Sequence, residues 1–281
     1  MMVDGRVIST LLACGGASQC VFHMNYARAI EEKLSIPSVV PFTNIKAIGA
    51  RSAGCLSAIS LAAGKSSLWQ AETLAGGEDV KLWNPQARTA LRGWGLNDRN
   101  DLRRYIQDFV VRSGLEGARV GDVAHLHGVD LHIHATKVTA QGLESVIFDE
   151  EVDLVDAVVA SCSLGILFEP QEIAGELYID TALFSDRSLL TKSLLDYGDN
   201  VLLFSFFYNS DPSNLDATSY KMSLIKGIFN LDPYQGHPKE VHFSHPYVDL
   251  PLFDMSPKSL RAHIEKHWDS YSEQIKDRIT V

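Results

Sequence analysis

The chain has 281 residues, 46% of them hydrophobic and 21% charged, so it can bury a substantial core and does not read as disordered. A formal net charge of −10 gives no sequence-independent attraction to phosphate backbones, which argues against a nucleic-acid partner. The four cysteines (Cys14, Cys20, Cys55 and Cys162) have neither paired metal-ligand spacing nor the density of a disulfide scaffold, and they suit a reducing compartment.

No apolar run approaches the roughly 18 residues that read as a membrane span. The run "VISTLLAC", ending at Cys14, has the outline of a lipoprotein cleavage site. Its leader "MMVDGR" carries an acid and a single arginine, however, and the apolar segment is at the minimum length for a secretion signal. The expectation is a cytoplasmic protein, with leaderless export left open.

In chain order, "RVISTLLAC" (6–14) is β-branched and apolar and reads as a strand that stops at a glycine pair. "VFHMNYARAIEEKL" follows with helical spacing of Val21, Met24, Ala27, Ile30 and Leu34. "NIKAIGA" and then "SAGCLSAISLAAG" repeat the strand, turn and helix arrangement, with Gly64 suited to a helix end. Two such units argue for an α/β fold. Residues 66–100 read as short helices and loops over a site, a candidate lid or cap. "DLRRYIQDFVVRSG" predicts an amphipathic helix, "DLHIHATKV" a strand, "VDLVDAVVASCS" a helix, "GELYIDTAL" a strand and "NVLLFSFF" a buried strand. The tail "SPKSLRAHIEKHWDSYSEQIKD" opens with a capping serine and a proline and reads as a final helix. No repeat or linker divides the chain, so residues 1–281 read as a single domain.

Ser52 stands on the turn between an apolar strand and an alanine-rich helix. An abrupt strand-to-helix turn throws its central side chain clear of the sheet and needs small neighbours, which Ala50, Ala53 and Gly54 supply. Ser52 could therefore be a nucleophile or simply a helix cap. A nucleophilic serine needs a base for its proton and convergent N–H donors for the oxyanion. The turn "CGGASQ" (14–19) could present such amides at a helix start, or be a plain turn or phosphate loop, though it lacks the lysine and closing hydroxyl residue of a nucleotide P-loop. Asp180, at the end of "LYID", could be the base or a turn-forming aspartate.

Taken in order, these pieces resemble the patatin-like phospholipase family. "CGGASQCVFHMNYARAIEE" resembles that family's glycine-rich oxyanion loop and following helix, and "AIGARSAGCLSAISLAAG" its serine elbow. "LHIHATKV" with "DLVDAVVASCSLGILFEPQEIAGELYIDTALF" resembles its later strand, its "ASxxxPxxFxP" stretch and its aspartate turn. "YVDLPLFDMSPKSLRAHIEKHW" is similar to its closing segment, so the likeness runs through most of the chain.

The resemblance implies a three-layer α/β/α fold with a central mixed, mostly parallel sheet. It implies a Ser-Asp dyad without a histidine relay, with Ser52 as the acyl-forming nucleophile and Asp180 as its base. The backbone N–H groups of Gly15, Gly16 and Ala17 would form the oxyanion hole. The implied chemistry is hydrolysis of lipid acyl esters with no metal and no cofactor. The chain departs from the family pattern at Cys14, Gln19 and Cys20 around the loop, at Ala50 and Arg51 in the elbow, at Thr181 and Ala182 after the aspartate, and at Gly165.

Other residues carry secondary readings. Arg51, beside the serine, is a candidate contact for an anionic head group or carboxylate, or pairs with a local acid. His237, His242 and His245 follow Asp180 in the order of a Ser-Asp-His triad, but their segment reads better as a loop and short strand. His132 and His134 share a strand face without the further ligands a metal needs. Trp69, Trp83 and Trp94, with Arg88, Arg92, Arg99, Arg103 and Arg104, could touch a lipid surface transiently; the plainer expectation is tryptophans packed under a lid and arginines solvated or paired with Asp98 and Asp101. An acyltransferase using the same dyad and a non-catalytic acyl-lipid-binding protein are the alternatives to a hydrolase.

Overall fold

The apolar runs fold, in the computed structural model, into β1 (Met2–Val3), β2 (Arg6–Val7), β3 (Thr10–Ala13), α1 (Val21–Lys33), β4 (Ala47–Arg51), α2 (Gly54–Ala62), α3 (Ser67–Gly76) and α4 (Arg99–Ser113). They continue with α5 (Asp122–His127), β5 (Asp130–Thr139), β6 (Gly142–Ile147), α6 (Leu154–Cys162), β7 (Gln171–Ile173), β8 (Glu176–Ile179), α7 (Ser188–Leu195), β9 (Val201–Phe207), β10 (Glu240–Pro246) and β11 (Ile279–Thr280). The structure describes residues 1–15, 20–34, 44–76, 97–165, 167–181, 188–207, 236–246, 258, 260–262 and 275–280.

The main sheet has the order β10-β9-β3-β4-β5-β8-β7, with β6 paired to β5 off this path. The strands from β10 to β5 run parallel, and β6, β7 and β8 add antiparallel pairings. Alternation along β3 sends Leu11 and Ala13 to one face and Leu12 to the other. The first face packs against α1, α2 and α6, whose Met24, Ile30, Leu56, Ile59, Val158 and Val159 are buried with Ile48 and Phe204. The second face is covered by Leu190 and Leu194 of α7. Gly49 of β4 admits α7, because a Cβ there would lie 2.8 Å from Leu194 Cδ1 and 3.0 Å from Leu190 Cδ1. This is the expected three-layer arrangement.

All nine residues of α2 are buried, which suits a sequence that is apolar or small all round. α4 is amphipathic, capped at its start by the Asp98 carboxylate and ended by Gly114 at φ 83°. α6 is capped by Asp153, whose side chain accepts from the Asp156 N–H.

The fold corrects the predicted elements in three places. "RVISTLLAC" is not one strand. Asp4 and Gly5 at positive φ turn β1 back onto β2, which forms a separate three-stranded antiparallel sheet with β1 and β11, and β3 alone enters the main sheet. β5 continues to Thr139 and folds back through a turn at Gly142 (φ 135°) into β6, a hairpin absent from the prediction. The strand predicted for "GELYIDTAL" stops at Ile179, so that Asp180 lies just beyond it. Within the 66–100 segment, α3 is a helix and residues 77–96 lie outside the described set; in the predicted final helix, residues 258, 260–262, 275 and 276 are helical and most of the rest lies outside it.

Candidate active site

β4 ends at Arg51 and α2 begins at Gly54, leaving Ser52 and Ala53 to make the turn. Ser52 sits at φ 53°, a left-handed conformation that costs an L-residue other than glycine about 1–2 kcal/mol. Ala53 occupies the N-cap of α2 and makes no side-chain cap bond, so the capping role open to Ser52 in the sequence is not used. Ser52 as a whole is 9% exposed.

Small residues surround this turn for a measurable reason. A Cβ built on Gly15 would stand 2.2 Å from Ser52 Cβ and 2.8 Å from its Oγ. A Cβ on Gly54 would stand 2.3 Å from the Ala13 carbonyl oxygen. The end of β3 therefore passes directly against the elbow, and the first glycine of the "GGAS" loop touches the serine. Gly16 and Ala17, the other predicted oxyanion donors, lie outside the described residues.

Asp180 is buried at 1% exposure immediately after β8. Its backbone N–H donates to the Ser163 carbonyl at 2.9 Å. Two residues earlier on the same segment, Ser161 Oγ accepts the Ser52 N–H at 2.8 Å and donates to the His134 carbonyl at 2.7 Å. The backbones of Ser52 and Asp180, 128 positions apart in sequence, are thus both fastened to the end of α6. Between these fastenings, Cys162 has its thiol pushed well above the usual range by its hydrogen bond with Cys55, then by burial, with the charge of Asp180 contributing. Sequence reasoning gave no role to Ser161 or Ser163, although Ser161 is the serine of the "ASxxxPxxFxP" stretch already noted as resembling the family.

Deeper behind the elbow, His23 Nδ1 of α1 is 3.1 Å from Ser57 Oγ of α2, and burial pushes the His23 pKa down to about 3, so the ring is neutral at physiological pH. Burial pushes the Cys20 thiol up to about 12 and the Tyr105 hydroxyl well above its usual range. These thiols are protonated and poor nucleophiles.

The remaining candidates distribute as follows. Arg51 is half-buried at the end of β4, and its Nε finds no hydrogen-bond partner among the described residues. His242 Nε2 lies 3.2 Å from Glu240 Oε2, and the same carboxylate accepts the His237 N–H. β10, which carries His242, stands three strands from β4, about 14 Å at ~4.8 Å per strand. His245 pairs in register with Phe206 on that same outer part of the sheet. This geometry does not bring His242 to Ser52. His132 packs edge-on against Tyr197, with ring centroids 5.4 Å apart.

Trp69 packs against the core and meets Phe109 edge-on at 5.9 Å, while Trp83, Trp94, Arg88 and Arg92 lie outside the described residues. The arginine pairing corrects the expectation in part. Arg104 pairs with Asp101, but Arg103 pairs with Asp156 and Arg99 donates to the Pro170 carbonyl, while the Asp98 side chain caps α4 by accepting from the Asn100 N–H. Among the described residues, no three His, Cys, Asp or Glu side chains cluster as metal ligands, and no helix is long and apolar enough to cross a membrane.

Comparison with known proteins adds an independent finding. The sequence model of the family described as "Patatin-like phospholipase" matches residues 11–190. Among solved structures, VipD from Legionella pneumophila is similar at 14% identity and a TM-score of 0.46, over 96% of this chain and 66% of that one. The type III effector ExoU is similar at 15% identity and a TM-score of 0.42, over 95% of this chain and 53% of that one. ExoU in complex with SpcU, from Pseudomonas aeruginosa, is similar at 15% identity and a TM-score of 0.41, over 93% and 53%. The chain spans less than two thirds of the length of each of these structures. No curated protein sequence matches it.

Proposed function

Because the chain belongs to the patatin-like phospholipase family, we propose that it is a serine lipid acyl hydrolase of the phospholipase A or lysophospholipase type, with Ser52 as nucleophile and Asp180 as base. Asp180 takes the Ser52 hydroxyl proton as Oγ attacks the ester carbonyl. The oxyanion is met by the N–H groups of Gly15, Gly16 and Ala17, preorganised where the charge develops. Collapse expels the alcohol, which recovers the proton from Asp180, and leaves an acyl-Ser52 ester. Water, deprotonated by Asp180, then attacks that ester, and as the acyl–Oγ bond breaks the proton passes from Asp180 to Ser52 Oγ, releasing the fatty acid and restoring both side chains. A transient contact with a lipid surface delivers the substrate, and Arg51, half-buried at the end of β4 beside the serine, meets its anionic head group.

The observation that carries this reading is the turn at Ser52: a left-handed serine, relieved of any capping role, in contact with the glycine loop. Strain of this kind persists only where surrounding structure holds it, and it concentrates at functional sites. The test is a fluorophosphonate probe, which phosphonylates activated serines, applied to the wild type and to Ser52→Ala. Labelling of the wild type alone, together with loss of short-chain ester turnover in Ser52→Ala and in Asp180→Asn, is the expected result. Absent or equal labelling would instead favour a non-catalytic acyl-binding protein. Labelling with transfer of the acyl group to an added alcohol in preference to water would make the enzyme an acyltransferase.

A further inference from the structure

The hydroxyl of Ser161 stands between the elbow and the neighbouring strand. Arg51 and His134 are the last residues paired between β4 and β5. One residue further, the Ser52 N–H and the His134 carbonyl do not meet directly. Ser161 Oγ fills the gap, accepting from the first at 2.8 Å and donating to the second at 2.7 Å. A serine hydroxyl has a single proton, and here it points to His134, which leaves a lone pair for the Ser52 N–H. Ser161 is fully buried, so water does not readily replace it. Insertion of one hydroxyl into the end of the ladder lets β4 part from β5 and enter the left-handed turn with its amide still satisfied.

We propose that Ser161 is a positioning residue that holds the Ser52 backbone in its reactive conformation. It acts through the Ser52 amide and touches no reacting atom. The proposal rests on the reading of Ser52 as nucleophile. Its structural reason is that Ser161 and Ser163 share one short segment: the hydroxyl of the first holds the Ser52 N–H, and the carbonyl of the second holds the Asp180 N–H. Removing the Ser161 hydroxyl orphans a buried amide and releases the nucleophile's side of this strut, while the Asp180 side stays fastened.

The test compares Ser161→Ala, Ser161→Thr and Ser113→Ala with the wild type. Ser113 is a remote control: it is also buried, and its hydroxyl donates to the Phe109 carbonyl within α4. The readouts are kcat and KM for p-nitrophenyl butyrate, the fluorophosphonate labelling rate, Tm, and hydrogen exchange of the Ser52 amide. Ser161→Ala should lose about 10- to 100-fold in kcat and in labelling rate, with KM within about 2-fold, and its Ser52 amide should exchange faster. Ser161→Thr, which keeps the hydroxyl, should recover most of the rate; if its methyl group prevents folding, Ser161→Cys replaces it. Ser113→Ala should keep kcat within about 2-fold even where its Tm falls as far.

The proposal is overturned if Ser161→Ala loses no more kcat than Ser113→Ala, or if the hydroxyl- or thiol-bearing variant folds yet is no better than alanine. Failure of the underlying reading has a different signature. The wild type would then be unlabelled, or Ser52→Ala would be labelled as well as the wild type, and the proposal would fall with it.

Discussion

Replacing Gly15 by alanine should separate catalysis from folding. The added Cβ would lie 2.2 Å from Ser52 Cβ, about 1.3 Å short of the ~3.5 Å at which carbon atoms attract. Ser52 Cβ moves only with its backbone, so rotation of the side chain cannot relieve the contact, and the Arg51 carbonyl oxygen at 3.1 Å blocks one side. Either the loop or the elbow must retreat by on the order of 1 Å, and a misplacement of that size costs about 100-fold in rate. If the Gly15 N–H is also withdrawn from the oxyanion, a further loss of about 100-fold or more follows. The stability cost should be smaller, about 1–3 kcal/mol, as for other overpacked sites. The assay is kcat for p-nitrophenyl butyrate beside urea unfolding, with Gly114→Ala as control. Gly114 adopts a positive φ, which Gly15 does not, and has open space around its Cβ position, so its alanine variant should lose stability through backbone strain and keep turnover. A folded Gly15→Ala enzyme with kcat within about 3-fold of wild type would refute the reasoning, because Gly15 could not then lie against a working Ser52.

Other perturbations test the framework. Gly54→Ala drives a Cβ to within 2.3 Å of the Ala13 carbonyl oxygen and 2.8 Å of that of Cys14, neither of which can rotate away; a loss of about 3 kcal/mol in urea unfolding is expected, and a near-neutral variant would show that β3 and α2 are less closely opposed. His23 is neutral in the folded state with a pKa of about 3 and takes up a proton near pH 6.5 when unfolded. Its contribution is therefore fully present above pH 6.5 and falls by about 1.4 kcal/mol per unit as pH drops toward 3. The stability gap between wild type and His23→Gln should narrow over that window, and a pH-independent gap would contradict it. The Tyr105 hydroxyl is buried with no hydrogen-bond partner among the described residues, so Tyr105→Phe should leave Tm equal or raise it; a loss above about 1 kcal/mol would reveal a partner. Arg278 donates to Asp4 and to the His242 carbonyl and stacks 5.0 Å from the Phe243 ring centroid, so Arg278→Ala should cost about 1–2 kcal/mol in urea unfolding, and no change would mean that the C-terminal strand is not secured there.

Most of the α/β order was legible in the sequence because its signals are local. The apolar run at 47–50 against small residues at 53–54 marks a strand entering a helix, the spacing in "VFHMNYARAIEEK" marks α1, and Asp98 and Gly114 bracket α4 with cap chemistry. The division of "RVISTLLAC" was less legible: both halves are apolar and β-branched, and only pairing decides that Val7 faces Met2 while Thr10 faces Ala47. The β5–β6 hairpin escaped for a similar reason, since "VTAQGLE" carries turn residues but no strong alternation after them.

By itself the sequence determined which residues could do chemistry: a serine among small neighbours, a glycine-rich loop before a helix, and an aspartate at a strand end. It could not decide whether Ser52 caps α2, because that depends on a backbone angle, and the observed φ of 53° follows from how β3, β5 and α6 pack around the turn. Nor could it single out Ser161, whose hydroxyl is an ordinary helix serine until folding sets the Ser52 amide on one side and the His134 carbonyl on the other. Hydrogen bonds between residues 109 and 27 positions apart leave no periodicity in a chain; only the tertiary structure can bring such donors and acceptors within reach.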